Sequence, residues 1–273
     1  MPNPVQSPEH HPDGSIDTSV HGTTLQIAIN RPAKRNGFTP KMFRELGEAY
    51  TRLDDDPVLR VGVLCARGDH FTAGLDLPTI APLMQRGEKA VPLGLVDPLN
   101  LGMEGYRRRT KPMVVAVQGI TYTLGIELML AADIVIAATD CRFSQLEVQR
   151  GIMATGGATL RMAERAGAGN ALLHLLTADV FGADEALRLN FVQKVVPPDA
   201  LLTEAMRIAG LIAEQAPLAV IATRQNVLKA IEHGPVVAMQ EFIAVQQRLS
   251  KSKDAAEGVA SFVERRPAHF TGA

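Results

Sequence analysis

Tryptophan is absent from the 273 residues, tyrosine occurs three times and cysteine twice. So few large aromatic faces count against a carbohydrate site, where sugar rings need surfaces to stack on. The cysteines, Cys65 and Cys141, lie in apolar or strand-like contexts. They suggest no disulfide framework and fit a reducing, cytoplasmic compartment. An excess of one charge is also missing. The net charge of -1 gives no electrostatic case for nucleic acid or an anionic membrane as partner. No apolar run is long and unbroken. The longest, Pro112 to Ala138, is interrupted by Gln118, Glu127 and Asp133, which argues for a buried strand–helix–strand rather than a membrane span. The opening MPNPVQSPEHHPDGS has neither a basic nor an apolar region of a secretory signal and reads as a mobile tail over residues 1–15. The seven histidines, His10-His11 in that tail among them, are scattered without HxxxH spacing, and no CxxC occurs, so a metal site is not supported. GxSxG, GxGxxG and GxxxxGK[ST] are likewise absent.

What is present is enough for a sizeable core: 46% of residues are hydrophobic and 21% charged. The pattern predicts an α/β core over 16–198 followed by a helical region over 199–273. Strands are expected over 24–29, 58–66, 113–117, 134–138 and 192–196. Helices are expected over 40–53, with Thr39 as cap and Pro40 at the first position, and over 124–131, 158–165, 171–176 and 183–189, with Asn170 capping the fourth of these. Residues 78–105, rich in Pro, Gly and Leu, suggest a flap. The basic run Tyr106 to Lys111 reads as the end of a helix, where cations complement the dipole. Beyond residue 199 the breaks Ala216-Pro217 and Gly234-Pro235 separate helices over 199–214, 217–232 and 235–250. Asp254 is the expected cap of a last helix running to Arg266. Helices without intervening strands imply a layer that covers the sheet or packs between subunits.

Two carboxylates occupy places a core would not choose. Glu127 interrupts Thr123-Leu124-Gly125-Ile126 and Leu128-Met129-Leu130, and Glu147 sits four residues before Gly151. Burying an ionised carboxylate is costly, so each needs an explanation. Glu127 alone reads equally as a dipole-favouring acid near a helix start, and Glu147 as a loop acid paired with Arg142, Arg150 or Arg161. Together, flanking one glycine-rich region, they suggest acids that divide the labour of proton transfer. The glycine loop after the second long strand, Phe71-Thr72-Ala73-Gly74-Leu75-Asp76-Leu77, allows close approach of backbone to a ligand.

Five segments, in order, resemble the enoyl-CoA hydratase/isomerase (crotonase) family: INRPAKRNGFT, HFTAGLDL, KPMVVAVQGITYTLGIELMLAADI, FSQLEVQRGIMATGGATLR and DAAEGVASFVERRPAHF. The resemblance spans almost all of the chain after the tail. It implies a spiral of ββα units, a C-terminal helical region that builds homotrimers often paired into hexamers, and an acyl-coenzyme A thioester as substrate, with no metal or redox cofactor. It further implies that the backbone N–H groups of Leu75 and Leu124 hold the thioester oxygen, with Gly74, Asp76, Leu77 and Gly125 beside them. The backbone of Ala73 is expected against adenine, and Lys34 or Arg35 near the CoA phosphates. Phe262 and Arg265 would approach CoA across a subunit boundary. Glu127 and Glu147 match the hydratases' glutamates, Glu127 assigned to water and Glu147 to the α-proton. Two departures bear on the substrate. Thr123-Leu124-Gly125 stands where the family has three glycines, so a leucine side chain has to fit beside the acyl group. Thr155 replaces a glycine near the water and the β-carbon. The implied activity is hydration of a 2,3-unsaturated acyl-CoA. The alternatives are a Δ3–Δ2 enoyl-CoA isomerase or other enolate chemistry, and a CoA-thioester-binding protein without turnover.

Overall fold

The polar segment ahead of the first expected strand is itself a strand. In the computed structural model, which describes residues 12–273, β1 (Ser15–His21) pairs antiparallel with β2 (Thr24–Asn30) through a turn at Gly22, with Ser15 opposite Asn30 and His21 opposite Thr24. It is an edge strand with a largely exposed second half, so it lacks the apolar alternation that marks β2. Residues 12–14, expected to be mobile, are tied down. Pro12 O accepts from Arg31 Nε (3.0 Å), and Asp13 O from Thr39 Oγ1 (2.8 Å). His10-His11 and the rest of the tail lie outside the described residues.

Thr39 caps α1 (Pro40–Asp55) as expected, its side chain accepting from Met42 N. The helix buries Met42, Phe43, Leu46, Tyr50 and Leu53, an apolar stripe at helical spacing. β3 (Val61–Ala66) starts three residues later than its apolar pattern, because Leu59 N donates to Asp56 O in a turn after Pro57. α2 (Leu77–Gln85) follows the glycine loop. Then come β4 (Met113–Val117), β5 (Ile120–Tyr122), α3 (Leu124–Leu130), β6 (Ile134–Ala138) and β7 (Arg142–Ser144). α4 (Ala158–Ala166) and α5 (Ala168–Thr177) meet at Gly167. Asn170 lies inside α5 and donates back to Ala166 O (2.9 Å), so it is not the cap expected of it. β8 (Phe181–Gly182), α6 (Ala183–Arg188) and β9 (Lys194–Val196) complete the core.

β2, β3, β4, β6 and β9 run parallel in the main sheet, with β1 at its edge. A second column stacks beside them. Phe38 bridges Leu75, Thr72 bridges Thr121, β5 pairs with β7 and β7 with β8. Each long strand therefore leads to a short extended stretch in the second column and then to a helix. The repeat is β2–Phe38–α1, β3–Thr72–α2 and β4–β5–α3, and the later turns follow the same path. This stacking delivers residue 75, the start of α3 and the turns after β7 to one end of the column.

α7 (Leu201–Ala213) packs on β2, β3, β4 and β6, so the first helix of the C-terminal region covers the sheet. α8 (Pro217–His233) contacts α9 (Pro235–Met239) and α10 (Phe242–Leu249). The helix expected over 235–250 is thus broken at Gln240 and Glu241. α11 (Lys253–Glu264) is capped by Ser252, whose side chain accepts from Ala255 N, rather than by Asp254. Asp254 is buried and accepts from Thr271 N (2.7 Å) and Gly272 N (2.8 Å), holding the end of the chain against the helix. Among the described residues no single helix is long and apolar enough to cross a membrane.

The basic run before β4 ends no helix. Arg109 donates to Asp133 Oδ2 (2.7 Å), and Arg224, from α8, to Asp133 Oδ1 (2.7 Å). The arginine side chains are only 2% and 8% exposed. Burial pushes the Asp133 carboxyl up, but the two guanidinium groups outweigh it and hold it below the usual range. Lys111 is also buried and donates to Leu53 O (2.9 Å) and Asp56 O (2.6 Å). Truncating one partner of such a network leaves buried charge uncompensated. Asp133→Ala is expected to lower unfolding free energy by about 3–5 kcal/mol, read from the midpoint of urea denaturation.

Candidate functional site

The glycine loop and the start of α3 are fastened together before any ligand is considered. Thr72 N donates to Ile120 O (3.1 Å) and Tyr122 N to Thr72 O (3.0 Å). On the other side Phe38 N donates to Gly74 O and Asp76 N to Phe38 O, both at 2.9 Å. Gly74 sits at φ 103°, where a side chain is strained, and a Cβ there would fall 2.0 Å from Thr123 Oγ1. Its missing side chain is what lets the two loops touch. Leu75 N lies between these paired residues, and Leu124 N opens α3. Neither donates to a protein acceptor among the described residues. Two free N–H groups on adjoining loops can together hold one developing oxyanion.

Thr123 turns the chain into α3 at φ 48° and ψ −112°, a backbone region that favours glycine. Holding a β-branched residue there costs about 1–3 kcal/mol. Thr123→Gly is therefore expected to raise unfolding free energy by about 1 kcal/mol after the added unfolded-chain entropy is subtracted, as measured by urea unfolding. The Leu124 side chain is buried in the hydrophobic core. That packing accommodates the extra volume relative to glycine. Gly125 is buried against Thr72 and Thr121.

Glu127, on the first turns of α3, is 6% exposed. It reaches across to α4, whose cap position, Gly157, has no side chain to receive the first helical N–H groups. Gly156 N donates to Glu127 Oε1 at 2.6 Å. The carboxylate also meets Ala158 N–H, the first of α4, so a side chain from another helix serves as its cap. Burial, and after it the charge of Glu147, push the Glu127 carboxyl up to about 7, against the Gly156 and Ala158 N–H groups and the Arg161 cation. Near neutral pH this group is poised to give or take a proton. Glu147 opens a short 3-10 turn, Glu147–Arg150, and burial pushes it up as well. Its Oε2 is buried without a hydrogen-bond partner among the described residues, and it forms no ion pair with Arg142, Arg150 or Arg161. A cavity of about 320 Å³ opens beside Glu147, lined by Gln145, Val148, Ile152, Ala154 and Leu172 among others.

The remaining expected residues divide into two groups. Lys34 and Arg35 are exposed on the 3-10 turn Pro32–Lys34 and its cap, and Ala73 N donates to Arg35 O (2.9 Å), so these three adjoin the glycine loop. Asp76 faces Arg31, with 2.5 Å between Nη1 and Oδ2, and Leu77 begins α2 on the surface. Thr155 is exposed immediately before Gly156. Phe262, 84% exposed, and Arg265 lie on α11 and its cap and make no described contact with the two glutamates. Sequence reasoning did not single out Gly156 as the partner of Glu127 or Thr123 as the strained hinge.

The profile of the enoyl-CoA hydratase/isomerase family matches residues 20–273. The chain belongs to the enoyl-CoA hydratase/isomerase family. A crystal structure of a probable enoyl-CoA hydratase/isomerase from Mycobacterium abscessus superposes with a TM-score of 0.90 at 43% identity, covering 94% of this chain and 98% of that one. Among curated relatives, a crotonyl-CoA hydratase of Syntrophomonas wolfei is 34% identical over 247 residues, 89% of this chain and 93% of its own. A carnitinyl-CoA dehydratase of Proteus mirabilis is 32% identical over 270 residues, 94% of this chain and 98% of its own. The ββα spiral is thus the crotonase fold expected from the motifs, and this family member is an enzyme acting within acyl-CoA chemistry.

Proposed function

We propose that the enzyme adds water across the 2,3 double bond of an enoyl-CoA thioester. The observation that carries this reading is the pairing of a buried carboxylate, Glu127, with a half-buried one, Glu147, whose charge helps push the Glu127 carboxyl up. The nearby free N–H groups of Leu75 and Leu124 supply the oxyanion site. Isomerisation of a double bond needs a single base moving one proton, whereas hydration needs one group for water and one for the α-proton. Glu127 orients and deprotonates the water and Glu147 exchanges the α-proton, while Leu75 N–H and Leu124 N–H take the charge on the thioester oxygen. Each such donor is worth roughly 10²–10³ in rate. The apolar cavity beside Glu147 suits the acyl chain, and Thr155 follows Ala154 of its lining in the chain. Ala73, Lys34 and Arg35 face the CoA nucleotide, with Gly74, Asp76, Leu77 and Gly125 shaping the loops.

This chemistry requires no metal or redox cofactor. Two free, buried cysteines suit a cytoplasmic setting. The exposed Phe242, Ile243, Val259, Phe262 and Val263 of α10 and α11 support association through the C-terminal helices, with Phe262 and Arg265 completing a neighbour's CoA site. Light scattering is expected to give the mass of a trimer or hexamer, and a monomer at micromolar concentration would remove that part of the reading. The activity is tested by incubating the protein with crotonyl-CoA and longer 2-enoyl-CoAs and following loss of the conjugated thioester absorbance. Absence of loss at every chain length would overturn hydration, and conversion of 3-enoyl-CoA alone would make the enzyme an isomerase.

A further inference from the structure

The Gly156–Gly157 turn that holds Glu127 has a cation packed against it. Arg161 lies on the first turn of α4, with its N–H donating to Gly157 O (3.0 Å). Its guanidinium folds back toward the turn, so that a Cβ on Gly157 would fall 2.6 Å from Nη1. Nη2 donates to Leu99 O (2.7 Å) and reaches Asn100 O (3.3 Å). Those two residues belong to a turn built on Asp97, whose Oδ1 accepts from Leu99 N and Oδ2 from Leu101 N, both at 2.9 Å. Nη1 is buried and has no hydrogen-bond partner among the described residues. One side chain therefore joins the far end of the 78–105 segment to the turn carrying the Gly156 N–H, and keeps a spare charged donor beside that turn.

We propose that Arg161 is a positioning residue for Glu127. It ties the Asp97–Leu101 turn to the Gly156–Gly157 turn and sets the field in which the Glu127 carboxyl exchanges its proton. The inference rests on the two-glutamate reading above. The charged groups acting on Glu127 are Glu147, from the 3-10 turn, and Arg161, from α4. Those acting on Arg161 are Asp97, Glu164, Glu127 and Arg109. Burial and Glu147 favour the protonated form of Glu127, and Arg161 favours the ionised form. Loss of the cation therefore pushes the titration upward, while loss of the fork alone loosens the 97–101 turn and leaves the titration in place.

The test uses Arg161→Gln, Arg161→Met and Arg161→Lys in the full chain. The Glu127 carboxyl is followed against pH by infrared difference spectroscopy, its band assigned by disappearance in Glu127→Gln. In folded Arg161→Gln or Arg161→Met the band is expected to titrate measurably higher than in the wild type, by up to about one pH unit, the low end of the effect of a nearby opposite charge. Arg161→Lys is expected to return it to the wild-type position while raising KM for the enoyl-CoA. Either neutral variant, folded by circular dichroism and titrating with the wild type, overturns the proposal. If both neutral variants fail to fold, an Arg161→Lys titration displaced as far as one pH unit also overturns it. The infrared readout needs no turnover. A wild type inactive on every enoyl-CoA with a band that moves sinks the hydratase reading alone, and an active wild type with an immobile band sinks this one alone.

Discussion

Glu127→Gln is expected to lower the turnover of enoyl-CoA by about 10²–10⁴-fold, the usual contribution of a positioned general acid or base. The same substitution is expected to make the protein more stable at alkaline pH. The two effects have one cause. Burial first, and Glu147 second, raise the Glu127 carboxyl from 4.5 to about 7. The folded state thus binds a proton that the unfolded chain releases near pH 4.5. Below that pH both states are protonated and the raised value costs nothing. As pH rises from 4.5 through about 7 the favourable difference is lost, and at pH 8 the fold carries an ionised carboxylate it would prefer neutral. The displacement is worth about 3 kcal/mol as an upper figure. Glutamine keeps an oxygen for the Gly156 N–H and removes the charge. Urea unfolding of wild type and variant is expected to give similar stability at pH 4 and a gap of about 2–3 kcal/mol in favour of Glu127→Gln at pH 8. A variant that keeps both its activity and the wild-type pH dependence would reduce Glu127 to an acid near a helix start.

The two glutamates were legible in the sequence because a carboxylate inside an apolar run has few cheap explanations. Their partners were not. Gly156 N–H comes from 29 residues away in sequence, and a backbone donor carries no residue type to recognise. For the same reason Leu75 and Leu124 entered only through family resemblance. Strands with strong apolar patterning, 113–117 and 134–138, match β4 and β6 residue for residue. β1 and β5 escaped notice. The first is a polar edge, and the second is three residues long and held by pairing with β7 rather than by its own pattern. Arg109 and Lys111 were misread as cations complementing the dipole at a helix end, because local charge does not reveal distant partners. Asp133, 24 residues on from Arg109, neutralises that arginine, and the carbonyls of Leu53 and Asp56 satisfy the lysine. The same blindness to distant partners turned Asp254 into a helix cap, when its acceptors serve the last residues of the chain.

Gly156→Ala is expected to reduce kcat by about 10²-fold or more while leaving the fold intact, because it acts on the position of Glu127 and on nothing else of comparable rigidity. A Cβ at residue 156 would lie 2.2 Å from Glu127 Oε2, 2.5 Å from Cδ and 2.9 Å from Oε1. Contacts that short do not occur, so the carboxyl or the turn has to move. The turn is constrained from below by Arg161, which donates to Gly157 O and to Leu99 O, and from the C-terminal side by the start of α4. The carboxyl is therefore the group that gives way, and it loses the 2.6 Å bond to Gly156 N as it does so. A displacement of about 1 Å at a reacting group is enough to cost about 10²-fold. Because Leu75, Leu124 and Ala73 are untouched, KM for the enoyl-CoA should change far less than kcat. That asymmetry separates a displaced acid–base group from a collapsed site, since a distorted fold would lower binding and turnover together. Steady-state kinetics on crotonyl-CoA, with a crystal structure of the variant to locate Glu127, would decide it. An alanine variant with wild-type kcat would mean that the carboxyl works from more than one position, and that the Gly156 contact serves only to hold the turn before α4.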